Sequence, residues 1–179
     1  MTAARDPRLT LLRARVRDVP DFPKPGILFR DLTPLMGDGA ALRACVDLLS
    51  ERVAARRPDV IVAVESRGFI FGAPVAAALG LGFAPVRKPG KLPARKLRRT
   101  YDLEYGTDSL EMHADAVHPG SRVVIVDDLL ATGGTAAATI ELVREQGAEV
   151  VGACFVVELT LLPGRARLPG VPVDALIAY

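Results

Sequence analysis

Two short runs in this chain are apolar at every position: Val60 to Val64, VIVAV, and Val123 to Val126, VVIV. A strand points successive side chains to opposite faces, so a strand without a polar position has to be covered on both. Helices on the two faces of a parallel sheet provide that cover. The residues in between agree. The Ala-rich stretch Phe69 to Leu79 suits a crossover helix, Gly82 to Val86 is another apolar run, and Thr135 to Gln146 has helical spacing ended by Gly147. Val150 to Val157 and Val171 to Ile177 supply two further strands, separated by a Pro- and Gly-containing connection. Upstream, the spacing predicts helices over Leu9 to Val16 and Ala40 to Ala55, so that two helices precede the first strand. A strand pair around Leu103 and Leu110 to Met112, with a hairpin across Gly106, completes an α/β fold with a mostly parallel central sheet flanked by helices. In such sheets ligands bind beyond the carboxyl ends of the strands.

At 179 residues, half of them hydrophobic and a quarter charged, the chain is expected to be a single globular domain. A net charge of +2 gives no reason to expect a nucleic-acid partner. No run approaches the roughly 20 apolar residues of a membrane span, so the expectation is a soluble, cytoplasmic protein with no membrane partner. Cys45 and Cys154 stand in apolar surroundings without metal-ligand spacing and read as core residues. His113 and His118 lack a catalytic partner at a recognisable spacing and are expected to be exposed structural residues.

The chemistry concentrates where the sheet rule puts it, in Val123 to Thr135, VVIVDDLLATGGT. Asp127 and Asp128 end a buried strand and offer paired acceptors for the hydroxyls of a ribose, directly or through a bound Mg²⁺. Gly133 and Gly134 can take the positive φ and close approach that let backbone N–H groups surround a phosphate, while Thr132 and Thr135 add hydroxyls at a helix N-terminus. No GK[ST] follows, which excludes a P-loop, and the turn lacks a GxGxxG. A solvated strand end with an ordinary capped turn would explain either half of the segment, but not the two joined. Arg67 follows the VIVAV strand and so lies at the same sheet edge, within reach of a second anion; a surface ion pair is its plainer reading. Arg87 to Arg99 holds seven basic residues in thirteen, broken by Pro89, Gly90 and Pro93, and reads as an irregular loop that neutralises an anionic substrate or is simply solvated.

The segment VVIVDDLLATGGT resembles the 13-residue phosphoribosyl-pyrophosphate motif of type I phosphoribosyltransferases. Further segments are similar to the adenine phosphoribosyltransferases within that family: DFPKPGILFRDLTPL from Asp21, VESRGFIFGAPVA from Val64, RKPGKLP from Arg87, YDLEYG from Tyr101 and VELT from Val157. The resemblance covers about residues 20 to 165. It implies a small N-terminal hood at about residues 20 to 37, a lid loop at about 87 to 106 and the donor motif at 123 to 135. It implies that Ser66, Arg67 and Gly68 form a pyrophosphate loop with a non-proline cis peptide at Glu65-Ser66. Arg87, Lys88 and Lys91 would neutralise pyrophosphate, sometimes in a neighbouring subunit's site, and Tyr101, Glu104 and Tyr105 would lie on the closing loop. Ala131 to Thr135 would take the 5′-phosphate. Ile27, Phe29, the backbone near Arg30 and Leu159 would enclose adenine. The residues Ala94 to Thr100 match no motif of the family.

On this resemblance the chain is expected to convert adenine and 5-phosphoribosyl 1-pyrophosphate to AMP and pyrophosphate with Mg²⁺, as a homodimer in purine salvage. Arg67 and Glu104 are the expected catalytic residues. Two alternatives share the donor motif: transfer to xanthine, hypoxanthine or guanine, and a non-catalytic sensor that binds DNA. The hood sequence argues against the first. The roughly 20 residues ahead of the hood are too few for the helix-turn-helix that the second requires.

Overall fold

The computed structural model describes residues 6–102 and 107–179. The chain divides into two compact units, residues 1–48 and 49–179. In the first, α1 (Pro7–Ala14) opens with Pro7 in its first turn and with the Asp6 carboxylate accepting from the Arg8 N–H at 2.9 Å. The strands β1 (Arg17–Pro20) and β2 (Leu28–Asp31) then pair antiparallel, from Arg17 opposite Asp31 to Pro20 opposite Leu28. The connection turns where Asp21 and Gly26 take positive φ, and the Asp21 carboxylate accepts from the Gly26 N–H at 2.7 Å. After α2 (Thr33–Gly37), Asp38 accepts from the N–H groups of Ala40 and Ala41 and so starts α3 (Gly39–Ala54). This hairpin corrects the expectation that helices alone precede the first strand. Its strands are four residues long and neither has a buried position, so they carry no apolar alternation to read.

The second unit is built on a seven-stranded sheet, ordered β5-β6-β4-β3-β7-β8-β9. Its centre is β3 (Val60–Val64) paired in parallel with β4 (Gly82–Arg87) on one side and β7 (Arg122–Leu130) on the other. The strands β8 (Glu149–Glu158) and β9 (Val173–Ala178) extend the parallel part. Helix α4 (Arg67–Leu79) crosses from β3 to β4, and α5 (Gly134–Glu145) crosses from β7 to β8. The apolar faces meet in a core that includes Val62, Ile125, Leu142, Val143 and Phe155, all less than 5 % exposed. Cys45 and Cys154 are both buried with free thiols. Among the described residues, no helix is long and apolar enough to cross a membrane.

Three further expectations are corrected. Strand β7 does not stop at the acidic pair but runs on to Leu130, since β8 continues alongside it. The basic stretch is not irregular throughout: Lys96–Asp102 forms β5, antiparallel to β6 (Thr107–His113). As an edge strand, β5 can carry charge at little cost. Arg99 reaches Glu141 and Glu145 of α5, and Arg98 donates to the Ser109 hydroxyl. His113 is half-buried in β6 with its Nε2 enclosed, and only His118 is exposed. The expected strand at Leu103 and turn at Gly106 lie outside the described residues.

Packing rather than these surface pairs should carry the stability of the sheet. Phe155→Ala, at a side chain 1 % exposed, is expected to lower unfolding free energy by about 3–5 kcal/mol. Arg99→Ala should cost less than about 1 kcal/mol. Urea denaturation of the two variants checks the contrast, and equal losses would contradict it.

Candidate active site

Two turns leave the sheet side by side. The first follows β3, whose Ala63 lies opposite Val126 of β7; the second follows β7 itself. After Val64 the chain makes a cis peptide at Glu65-Ser66 and enters α4 at Arg67, as the resemblance implies. The first turn of α4 comes down on the acidic pair so closely that a Cβ on Gly68 would stand 2.7 Å from Asp127 Oδ1 and 3.3 Å from the Val126 carbonyl oxygen. No side chain fits there, which is why a glycine follows Arg67. The Arg67 Nε meets Asp128 Oδ2 at 2.7 Å; 41 % of the arginine side chain is exposed against 9 % of the aspartate. An ion pair is therefore part of what Arg67 does, and it binds the two turns to each other.

Burial pushes the Asp127 carboxyl well above the usual carboxylate range, and the charge of Asp128 adds to the effect. Burial raises Asp128 as well, against the opposing pull of the Arg67 guanidinium. The pair thus resists carrying two charges until a cation or a hydroxyl donor meets it. Beyond it, Gly133 takes φ 82° and caps α5, whose first N–H groups open toward the turn.

The turns line one cavity of about 390 Å³, a size suited to a phosphorylated sugar. Of the residues singled out in the sequence, Ser66, Arg67, Lys88, Asp127, Asp128 and Ala131 to Thr135 face it. Glu65, Tyr101, Leu129, Leu130 and Ala136 also line it. Tyr101, which the resemblance sets on the closing loop, stands at the wall, its hydroxyl donating to Asp108 Oδ2 and accepting from the Thr135 hydroxyl, each at 3.2 Å. Lys88 forms an ion pair with the same Asp108.

Arg87 and Lys91 are not among the lining residues. The Arg87 guanidinium straddles the Glu65 carboxylate at 3.1 and 3.2 Å and also donates to the Lys91 carbonyl, while the Lys88 N–H donates to Glu65 Oε2. Arg87 holds the Glu65 carboxyl below the usual range. Glu65 therefore anchors the root of the basic segment. The only sign of it in the sequence is that an acidic residue precedes SRG at the strand end.

Leu159 is half-buried and its N–H donates to the Leu130 carbonyl at 2.9 Å. In the first unit, Phe29 packs edge-on against Phe22 at 5.1 Å between ring centroids, Ile27 is 43 % exposed, and Arg30 forms an ion pair with Asp18 across the β1–β2 hairpin. Glu104 and Tyr105 lie outside the described residues. Among the described residues, no group of three or more His, Cys, Asp or Glu side chains converges to hold a metal. Two adjacent carboxylates nonetheless suit Mg²⁺, which keeps several waters and is commonly held by one or two carboxylates together with substrate oxygens.

The model of the phosphoribosyl transferase domain matches residues 37–165. An adenine phosphoribosyltransferase of Desulfitobacterium hafniense is 58 % identical over 164 residues, covering 92 % of this chain and 95 % of that protein. Crystal structures agree. The adenine phosphoribosyltransferase of Thermoanaerobacter pseudethanolicus has a TM-score of 0.93 at 52 % identity, covering 96 % of this chain and 99 % of that one. The enzyme of Saccharomyces cerevisiae, complexed with adenine and an imino-altritol bisphosphate, has a TM-score of 0.89 at 41 % identity, covering 95 % and 98 %. With the motif, the paired turns and these likenesses in agreement, the chain belongs to the phosphoribosyl transferase domain family and, within it, to the adenine phosphoribosyltransferases.

Proposed function

We propose that this protein transfers the 5-phosphoribosyl group from 5-phosphoribosyl 1-pyrophosphate to adenine, releasing AMP and pyrophosphate, as a step of purine salvage. The observation that carries the reading is that the turns after β3 and β7 line a single cavity with an acidic floor and cationic walls. Both compact units serve this one catalytic domain, and the enzyme works as a homodimer in the cytoplasm.

The donor fits that cavity by parts. Its 5′-phosphate takes the loop Ala131 to Thr135, where successive N–H groups and the start of α5 favour an anion. Its ribose hydroxyls donate to Asp127 and Asp128. Its pyrophosphate lies along Ser66, Arg67 and Gly68 with Lys88 beside it, and Arg87 and Lys91 complete the basic surround. Asp127 and Asp128 would hold Mg²⁺ through the ribose oxygens or water, and the ion would supply charge neutralisation of the pyrophosphate. Departure of pyrophosphate leaves positive charge on the sugar ring. The protein's task is to keep Arg67 on the leaving anion, the acidic pair on the ribose, and adenine N9 aimed at the anomeric carbon. The aspartates grip; they are not general bases. Glu104 manages the proton at the purine N7. Phe29 stacks on adenine with Ile27 beside it, the backbone near Arg30 reads its edge, and Leu159 also borders the base. Main-chain reading of the 6-amino group would reject 6-oxopurines, since a wrong base strands buried polar groups.

A pyrophosphate-release assay with Mg²⁺ and a panel of bases tests the assignment. Turnover should require adenine; equal turnover with hypoxanthine or guanine would overturn the specificity, and none with any base would overturn the reaction. Glu104→Ala should retain donor binding by calorimetry while AMP formation falls about a hundredfold or more; unaltered turnover would remove that role. Asp127→Asn should weaken donor binding yet raise Tm at neutral pH. The sign follows from the raised Asp127 carboxyl. Over the window from the usual carboxylate range up to its raised value, the folded state holds more protons than the unfolded, so the wild type loses stability as pH rises. The amide removes that loss, and the gap in Tm should therefore close on acidification. A gap independent of pH would contradict the burial argument.

A further inference from the structure

The strap that connects β8 to β9 backs the phosphate loop, and none of the roles assigned above explains how it is held. At its start, the Leu159 N–H donates to the Leu130 carbonyl. In its middle, Gly164 lies directly against the loop: a Cβ there would stand 2.5 Å from the Ala131 carbonyl oxygen and 2.8 Å from Leu130 Cγ, and a Cβ on Gly133 would stand 2.6 Å from the Gly164 carbonyl oxygen. Two bare backbones are in contact, one of them belonging to the turn that cradles the phosphate. The residue after Gly164 is Arg165. Its Nε and Nη2 donate to the two oxygens of the Glu158 carboxylate at 2.6 and 2.7 Å, and its Nη1 donates to the Val173 carbonyl at 2.8 Å. The fork thus ties the strap to the last residue of β8 and to the first of β9.

We infer that the Arg165–Glu158 fork is a positioning device for the 5′-phosphate: it presses Gly164 against Gly133 and Ala131 and so fixes the backbone of the phosphate loop. The inference rests on the proposed reading of the cavity. Geometry distinguishes this from general stabilisation. The Arg165 side chain is 51 % exposed while that of Glu158 is 9 % exposed, so loss of the arginine alone would strand a covered acid, whereas loss of both charges together separates the placing of the strap from the cost of burying a charge. The fork bridges only seven positions in sequence, so it constrains little of the chain except the strap it closes. What it does set is the place of a backbone segment one residue away, against a loop whose N–H groups must converge on an anion. A lysine cannot reproduce it, because an ammonium is a point charge without the planar fork.

The test compares wild type with Arg165→Lys and with the double variant Glu158→Leu, Arg165→Met, which removes both charges and strands neither. Competition binding is measured with ribose 5-phosphate, which needs the phosphate loop, and with pyrophosphate, which needs the other end of the cavity. Both variants should bind ribose 5-phosphate roughly tenfold more weakly or worse, with the donor KM rising in step. Pyrophosphate binding and kcat should stay within about twofold, and Tm within a few degrees. Unchanged ribose 5-phosphate affinity in folded variants overturns the inference, as does an equal loss of both probes. Failure of the wild type to form AMP, with ribose 5-phosphate binding still sensitive to the fork, would sink the reaction assigned above and leave the positioning role standing.

Discussion

Everything at the site depends on how far β7 runs past its neighbour. β3 pairs with β7 as far as Ala63 opposite Val126, and then turns away into α4. β7 continues through Asp127, Asp128, Leu129 and Leu130, and in the described residues this extension pairs with β8 alone, Asp127 opposite Phe155 and Leu130 opposite Glu158. One edge of the extension is hydrogen-bonded and the other borders the cavity. That half-paired stretch makes an acidic pair both rigid and reachable, a combination that neither a central strand nor a free loop would provide.

Around this extension the charges are arranged in pairs of unequal burial. Asp128 is nearly covered and Arg67 is not; Glu65 accepts from the Nε and Nη2 of Arg87; Asp108 takes Lys88. Each acid gives its cation a fixed place, so a cavity meant for a polyanion does not hold loose positive side chains that must be ordered when it arrives. The same arrangement opposes ligand binding, because a donor pyrophosphate competes with carboxylates for those cations. The network through Tyr101 behaves alike: its hydroxyl accepts from Thr135, in the turn after β7, and donates to Asp108. A donor phosphate seated on Thr135 would meet a hydroxyl already oriented by the neighbouring strand.

What could be read from the sequence follows from where burial dictates residue type. VIVAV and VVIV announce central strands because both of their faces are covered, and DDLLATGGT announces its chemistry because a phosphate turn needs glycine where Gly133 takes φ 82°. The β1–β2 hairpin could not be read that way. RDVP and LFRD contain no buried residue and are held by backbone pairing and a turn at Asp21 and Gly26, features with little demand on side-chain hydrophobicity. Nor could β5. Its basic residues look like a solvated loop until β6 pairs with it and α5 presents Glu141 and Glu145 to Arg99. The half-burial of His113 likewise comes from tertiary placement in β6. Glu65 was missed for a different reason: its purpose, gripping Arg87 from 22 positions away, exists only once β3 and β4 lie side by side.

The Arg67–Asp128 contact shows why two motifs far apart in sequence have to be understood together. Removing Arg67 would leave Asp128 covered, without that cation and beside Asp127, a state that burial and like charge both penalise. Removing Asp128 would take from Arg67 the ion pair that sets it beside the cavity. Neither turn is therefore a module with its own function. The acidic pair tolerates burial because a cation leans on it, and that cation stands at the cavity wall because the pair holds it. Gly68 makes the arrangement possible by letting α4 come within contact of Asp127, where any larger residue would hold the two turns apart.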